Sequence, residues 1–247
     1  MIWQACSGAD HIGALAGTAY RLVESQEQIA TTGFVDTLEE QAVIEELLEG
    51  SKPPNAEATA HLHYLLKTPF RYPPLPWGSR FGTQAEPSLF YGGNSIRVAL
   101  AESAYYRLVF LFSIAGQPPK PLTSEHSLFS VGYATALGVR LQQPPFSNYA
   151  HELTDPRDYR ACQQLGRDMR RAGVRAFEYT SARDREEGTC IALFTPDAFT
   201  QDSPESLTPW LCQASQEGVR FMPMGSREVC YFPIGDFRVE GELPLPA

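Results

Sequence analysis

Lysine is almost missing from this chain of 247 residues. Of its 20 basic side chains only Lys52, Lys67 and Lys120 are lysines, and the rest are arginines. Positive charge as a whole is in deficit, with a net charge of −9. That excludes general nucleic-acid binding, which needs a basic face. No apolar run approaches the roughly 18 residues of a membrane span. The start, Met1-Ile2-Trp3-Gln4-Ala5-Cys6, has neither the basic head nor the apolar stretch of a secretory signal. The expected location is therefore the cytoplasm, with no membrane partner. The five cysteines (Cys6, Cys162, Cys190, Cys212, Cys230) are odd in number and form no Cys-x-x-Cys pair. They fit reduced, structural thiols.

Several site types are missing too. There is no Gly-x-x-x-x-Gly-Lys phosphate loop, no Gly-x-Gly-x-x-Gly fingerprint and no Gly-x-Ser-x-Gly elbow. His61 and His63 would stand about 200° apart on a helix and cannot share a metal. No metal site is expected.

What is present suggests one α+β unit. Residues 11–67 are expected to be mostly helical. Thr37 with Glu40 forms a capping box, Val43, Leu47 and Leu48 recur at helical spacing, and Gly50 with Pro53-Pro54 ends that helix. A second helix is expected over about 56–67, ending before Pro69. Residues 69–88 are rich in proline and glycine and predict an ordered loop or short strands. Leu89-Phe90-Tyr91 predicts a strand, and Asn94 or Ser95 can cap a helix running to about Phe110. Strands are expected near 128–134 and 137–141, a helix over about 158–171, and strands at 174–179 and 189–194. Two or three more follow between Val219 and Val239. The expected organisation is a single domain over 1–247: a helical N-terminal extension (1–68), a catalytic core (69–200) and C-terminal strands (201–247).

Arginine binds phosphate through a planar, two-pronged geometry, although a compositional bias gives the same counts. Arg80, Tyr91 and Glu102 stand at even steps of eleven residues. Arg80 sits among Gly78, Ser79 and Gly82, and small neighbours let a ligand approach the backbone. A surface salt bridge is the alternative. Tyr91 ends a strand before Gly92-Gly93, where its ring either stacks on a flat heterocycle or fills the core. Glu102 shares a helix face with Val98, Tyr105, Tyr106 and Val109, and a carboxylate there is costly without a partner. Arg97 and Arg107 project from the opposite side. Ser181 follows the strand 175–179 and either hydrogen-bonds a ribose or carboxamide or begins a turn. Cation, ring, carboxylate and hydroxyl together suit a phosphate-bearing ligand whose ribose becomes cationic in the transition state, as when the nicotinamide–ribose bond of NAD breaks.

These residues taken together resemble the RES domain family, named for its arginine, glutamate and serine. The likeness runs from about Phe70 to Phe199 through Gly78-Ser79-Arg80-Phe81, Tyr91, Ala99-Leu100-Ala101-Glu102, Asp158-Tyr159, Tyr179-Thr180-Ser181-Ala182-Arg183-Asp184 and Ile191-Ala192-Leu193-Phe194. The family often carries tryptophan after the arginine, where this chain has Phe81. The resemblance implies an ADP-ribosyltransferase-like split sheet with flanking helices. It implies a toxin of a type II toxin–antitoxin system that degrades NAD by phosphorolysis or hydrolysis, with Arg80, Tyr91, Glu102 and Ser181 as the active site and Arg71 assisting substrate binding. NAD is then the substrate, inorganic phosphate a co-substrate in phosphorolysis, and no cofactor is needed. The implied partner is an Xre-type helix-turn-helix antitoxin in a hetero-oligomer. The alternatives are a mono-ADP-ribosyltransferase acting on a protein, or a module that binds NAD without turnover.

Overall fold

Among the described residues eight strands form one continuous hydrogen-bonded sheet, and the way it splits creates the site. A computed structural model describes residues 1–25, 37–51, 53, 59–116 and 120–245. The strands are β1 (Gly13–Glu24), β2 (Phe90–Gly93), β3 (Leu122–Arg140), β4 (Ala176–Thr180), β5 (Thr189–Leu193), β6 (Ser206–Ser215), β7 (Gly218–Pro223) and β8 (Cys230–Pro233). The helices are α1 (Ile2–Ala5), α2 (Leu38–Ser51), α3 (Tyr64–Arg71), α4 (Ile96–Ser113), α5 (Ala150–Leu153) and α6 (Arg160–Arg171). The fold is α+β, as expected. Among the described residues no helix is long and apolar enough to cross a membrane.

The strand order is β1-β2-β5-β4-β3-β6-β7-β8, and β1 also pairs with β3. Five strands thus close a ring, β1-β2-β5-β4-β3, and β6 to β8 extend from the outer edge of β3. The closure is thin at one seam. β1 follows β3 from Gly13↔Gly138 to Glu24↔His126, but meets β2 only at Tyr20↔Gly93.

Alternate side chains of the ring enter separate cores, as a pleated strand requires. Phe90, Ile191, Leu193 and Ala176 join Leu62, Leu65 and Leu66 in one cluster. Phe177, Tyr179, Cys190 and Ala192 join Leu153, Cys162, Leu165 and Met169 of α5 and α6 in a second. α4 packs against β6, β7 and β8 in a third, through Leu100, Ala104, Tyr105 and Leu108 with Trp210, Val219 and Phe221.

Several sequence expectations are corrected. Residues 13–24, expected to be helical, are a strand in the heart of the sheet. Its buried residues Leu15, Ala19 and Leu22 fall at helical spacing because they serve two different cores. A strand covered on both faces loses the simple alternation that marks a half-exposed one. Residues 13–24 are therefore part of the core and not of a helical extension, whereas the helix expected after Thr37 is present as α2. In place of the helix expected over about 56–67, α3 starts eight residues later and ends four later; residues 54–58 lie outside the described ones. His63 Nδ1 accepts from Leu65 N at 3.3 Å and starts α3. The helix runs past Pro69 and stops at Tyr72, which is extended as the residue before Pro73 should be. α4 continues beyond Phe110 because Leu108 and Leu111 keep its buried face apolar. The two strands expected at 128–134 and 137–141 are one, β3. β7 and β8 fall where tail strands were expected, and β6 at 206–215 is a further strand before them. The capping at Thr37 is as expected, with Glu40 N donating to its Oγ1 at 3.2 Å.

α6 fixes the turn that carries Arg80. Gln163 Nε2 donates to Ser79 O at 3.1 Å, and Gly166 lies so near that a Cβ there would stand 2.0 Å from Phe81 O. Alanine at 166 would gain about 1 kcal/mol of helix propensity but collide with a backbone oxygen that cannot rotate away. Overpacking of this kind costs about 1–3 kcal/mol. Gly166→Ala is expected to lower the urea midpoint, with the slope of unfolding unchanged. An unaltered midpoint would show that α6 can step back freely from the Arg80 turn.

Candidate active site

Beyond Tyr20↔Gly93 the strands β1 and β2 part, and a cleft of about 610 Å³ opens there. Its walls include Arg21 and Leu22 of β1, Trp77 to Arg80 of the loop, Tyr91 of β2, Glu102 and Tyr106 of α4, and Tyr179 and Cys190 of β4 and β5. That volume is in the range of ordinary small-molecule sites.

α4 delivers Glu102. Ser95 caps the helix by accepting from Val98 N at 3.3 Å. Gly93 lets β2 end directly on its first turn, since a Cβ there would meet Ala99 N at 2.6 Å. The turn after β4 is tied to the same end. Asp184 binds Arg97 at 2.5 Å and Gly188 N at 3.1 Å, and Ser181 N donates to Gly188 O at 2.8 Å. These bonds bring Ser181 to Glu102, and Ser181 Oγ donates to Glu102 Oε1 at 2.5 Å. The same Oγ accepts from Arg183 N at 3.1 Å and Asp184 N at 3.0 Å. A hydroxyl has one proton and two lone pairs, so Ser181 has nothing left for a ligand. The expected bond from Ser181 to ribose or carboxamide gives way to a positioning role. Glu102 Oε1 also accepts from Cys190 Sγ at 3.5 Å, while Oε2 has no partner among the described residues. Arg97 and Arg107 do face elsewhere: Arg97 pairs with Asp184 and Glu186, and Arg107 with Glu24.

Arg80 is buried. Its Nη1 donates to Leu153 O at 3.2 Å and Asp155 O at 2.9 Å, and its guanidinium lies 4.5 Å from the centre of the Tyr159 ring. No carboxylate pairs with it among the described residues, which sets aside the surface salt bridge. Burial alone would lower its pKa, but Tyr159, Cys162 and Glu102 outweigh burial and leave it raised. Arg80 is therefore a fixed cation. Tyr91 hangs between two anchors: its hydroxyl bonds Ser79 Oγ at 2.9 Å and accepts from Phe81 N at 3.2 Å. Burial pushes its pKa up to about 12, against the pull of those two bonds, so the phenol is neutral. Arg80, Tyr91, Glu102 and Ser181 are thus brought together. Arg71 is not: its Nε donates to Pro53 O, and it is outside the cleft wall.

Three residues to which the sequence assigned no role belong to this site. Tyr159 backs Arg80. Arg183 donates to Tyr159 OH at 2.9 Å and Pro156 O at 3.0 Å and stacks 3.5 Å from the Tyr105 ring centre. Arg21 lies in a segment expected to be helical, so its place on the cleft wall was hidden. Its Nη1 donates to Tyr91 O at 3.1 Å, and burial lowers its pKa to about 10.

The RES domain family model matches residues 55–213. Among solved structures, the MbcT–MbcA toxin–antitoxin complex of M. tuberculosis contains a chain similar to this one. The TM-score is 0.50 at 10% identity, over 84% of this chain and 91% of that chain. Comparison with curated proteins gives no match.

His126, also on the cleft wall, generates a pH prediction. It is 3% exposed, and its Nδ1 has no partner among the described residues. Burial, helped by Arg107, lowers its pKa to about 4. The folded state thus resists a proton that the unfolded chain accepts near pH 6.5. The associated stability is complete above pH 6.5 and is lost as pH falls towards 4. Between pH 7.5 and 4.5 this amounts to roughly 2–3 kcal/mol. Urea unfolding of His126→Gln should show that much less acid sensitivity than the parent. Equal sensitivity would mean that another group carries it.

Proposed function

The chain belongs to the RES domain family, and from that premise we propose that it is the toxin of a toxin–antitoxin pair and cleaves the nicotinamide–ribose bond of NAD. The observation that carries the reading is Glu102: one carboxylate oxygen is clamped by Ser181, and the other is unclaimed on the wall of a cleft that also holds Arg80 and Tyr91.

The residues suit the chemistry. Nicotinamide in NAD is cationic and leaves neutral, taking the electron pair of the C–N bond, so its departure needs no general acid. The barrier is the formation of an oxocarbenium-like ribosyl centre, as in glycoside cleavage. A carboxylate held in place before the charge develops stabilises it without reorganising at that moment. Glu102 has this character, because Ser181 and Cys190 fix its orientation. Arg80, pinned by two carbonyls and a ring, holds the pyrophosphate. Tyr91, fixed at its hydroxyl end, offers a neutral ring to the nicotinamide. Phosphate or water then captures the ribosyl carbon and releases a proton. Capture by a protein side chain would make the enzyme a mono-ADP-ribosyltransferase, and the labelled product distinguishes these outcomes.

The proposed partner is an Xre-type helix-turn-helix antitoxin that covers this cleft. The fold likeness to a chain from a toxin–antitoxin complex supports a partner of that class. The chain's own charge of −9 leaves any DNA contact to it.

The purified chain should release nicotinamide from NAD, with or without phosphate, and no release in either condition would end the proposal. Glu102→Gln keeps an oxygen to accept from Ser181, removes the charge and puts an NH2 where Oε2 stood. It should bind NAD nearly normally and turn over on the order of a hundredfold more slowly. Arg80→Ala should weaken binding as well, since a contact present before the transition state is lost. Normal turnover by folded Glu102→Gln would remove Glu102 from the chemistry.

A further inference from the structure

We propose that Arg21 is a second phosphate-binding cation of the cleft, supplied by a strand that lies outside the segment the family model matches. The inference deepens the reading of the cleft as an NAD site and rests on it.

Four arginines line the cleft: Arg21, Arg80, Arg107 and Arg183. Arg107 is neutralised by Glu24 at 2.7 Å. Arg183 is buried and turned onto Tyr159, Pro156 and the Tyr105 ring. Arg80 and Arg21 remain, and neither has a carboxylate partner among the described residues. They bracket Tyr91. The tyrosine hydroxyl accepts from the N–H of Phe81, the residue after Arg80, while its backbone carbonyl accepts from Arg21 Nη1. The loop that carries Arg80 thus holds the hydroxyl end of Tyr91, and Arg21 holds its backbone end.

Arg21 is also held ready. Its guanidinium lies 5.2 Å from the centre of the Phe90 ring, and among the described residues only Nη1 is engaged. A planar fork with one prong anchored and the rest unclaimed suits a phosphate. Partial burial without a counter-ion disfavours its charge, and an anionic ligand would relieve that cost. Its pKa, lowered by burial to about 10, still leaves it charged at neutral pH. A single bond to Tyr91 O could be met by an uncharged side chain, so tethering β1 to β2 does not account for a cation here.

The phosphate has two sources, the diphosphate of the dinucleotide or the free inorganic phosphate of phosphorolysis. Two measurements on the full-length chain separate them: calorimetric affinity for ADP, and nicotinamide release with NAD and phosphate varied independently. Arg21→Gln keeps a donor for Tyr91 O and loses the charge. If Arg21 meets the diphosphate, ADP affinity should fall at least tenfold and the KM for NAD rise, with kcat little changed. If it meets free phosphate, the KM for phosphate should rise by the same factor and ADP affinity stay constant. Arg21→Lys restores charge without the fork and should fall between Gln and the parent in whichever quantity moves. Should Arg21→Gln not fold, Arg21→Lys decides alone through a several-fold loss. Unchanged ADP affinity and unchanged KM values in a folded variant would overturn the proposal, as would a parent chain that binds neither ADP nor phosphate. A parent that binds ADP in an Arg21-dependent way but releases no nicotinamide would sink the cleavage reading and leave this one standing.

Discussion

The single proton of Ser181 governs the geometry around Glu102. Two backbone N–H groups, from Arg183 and Asp184, occupy the lone pairs of Oγ, so its proton must go to Glu102 Oε1. The bond spans α4 and the turn after β4, which meet nowhere else through such a short side-chain contact except at Arg97 and Asp184. A hydrogen bond to a charged acceptor is about twice as strong as a neutral one and is more demanding in direction. The carboxylate is thereby aimed by the sheet, not by its own helix. Gly188 enters the same arrangement: a Cβ there would meet Val98 Cγ2 at 2.3 Å, so the turn can sit on α4 only with glycine at that position.

The cleft exists because one strand pairing stops early. β1 is bound along its whole length to β3 but touches β2 at one register position. Had the pairing continued, Arg21 would face Gly92 across a ladder and the opening would be filled by backbone. Instead the Arg21 side chain reaches the Tyr91 carbonyl, and a side-chain bond stands where the seam opens. The site is thus bounded on one side by a strand far from the rest of it in sequence, which explains why its composition could not be assembled from local motifs alone.

Legibility followed the range of the interactions. Arg80, Tyr91, Glu102 and Ser181 each sit in a local context of small residues, strand ends or helix starts, and those contexts were readable one by one. Ser95 as a cap and the return of β4 into β5 were readable for the same reason. β1 was not, since Leu15 and Ala19 belong to one core and Leu22 to another, and the resulting spacing imitates a helix. Of the two readings of Ser181, the turn holds, through the amides of Arg183 and Asp184, while the ligand bond gives way because a glutamate 79 residues away takes the remaining proton, which shows only in three dimensions. Arg71, which the resemblance offered as a substrate-binding residue, is turned by the end of α3 onto Pro53.

The scarcity of lysine acquires a structural meaning in this light. Arg80, Arg183, Arg170 and Arg21 share one arrangement: each lies over an aromatic ring, of Tyr159, Tyr105, Phe194 and Phe90 respectively. Each also donates to a backbone carbonyl, of Leu153 and Asp155, Pro156, Pro87 and Tyr91. A guanidinium does both at once because its donors lie in the plane of the group while its faces remain apolar and weakly hydrated. An ammonium, compact and strongly hydrated, would give up more solvation to enter the same places. Arginine here serves first as a cross-link between loops and rings. Where a carbonyl takes only one prong, as at Arg21, and no carboxylate neutralises the charge, the same residue that holds the wall of the cleft also charges it.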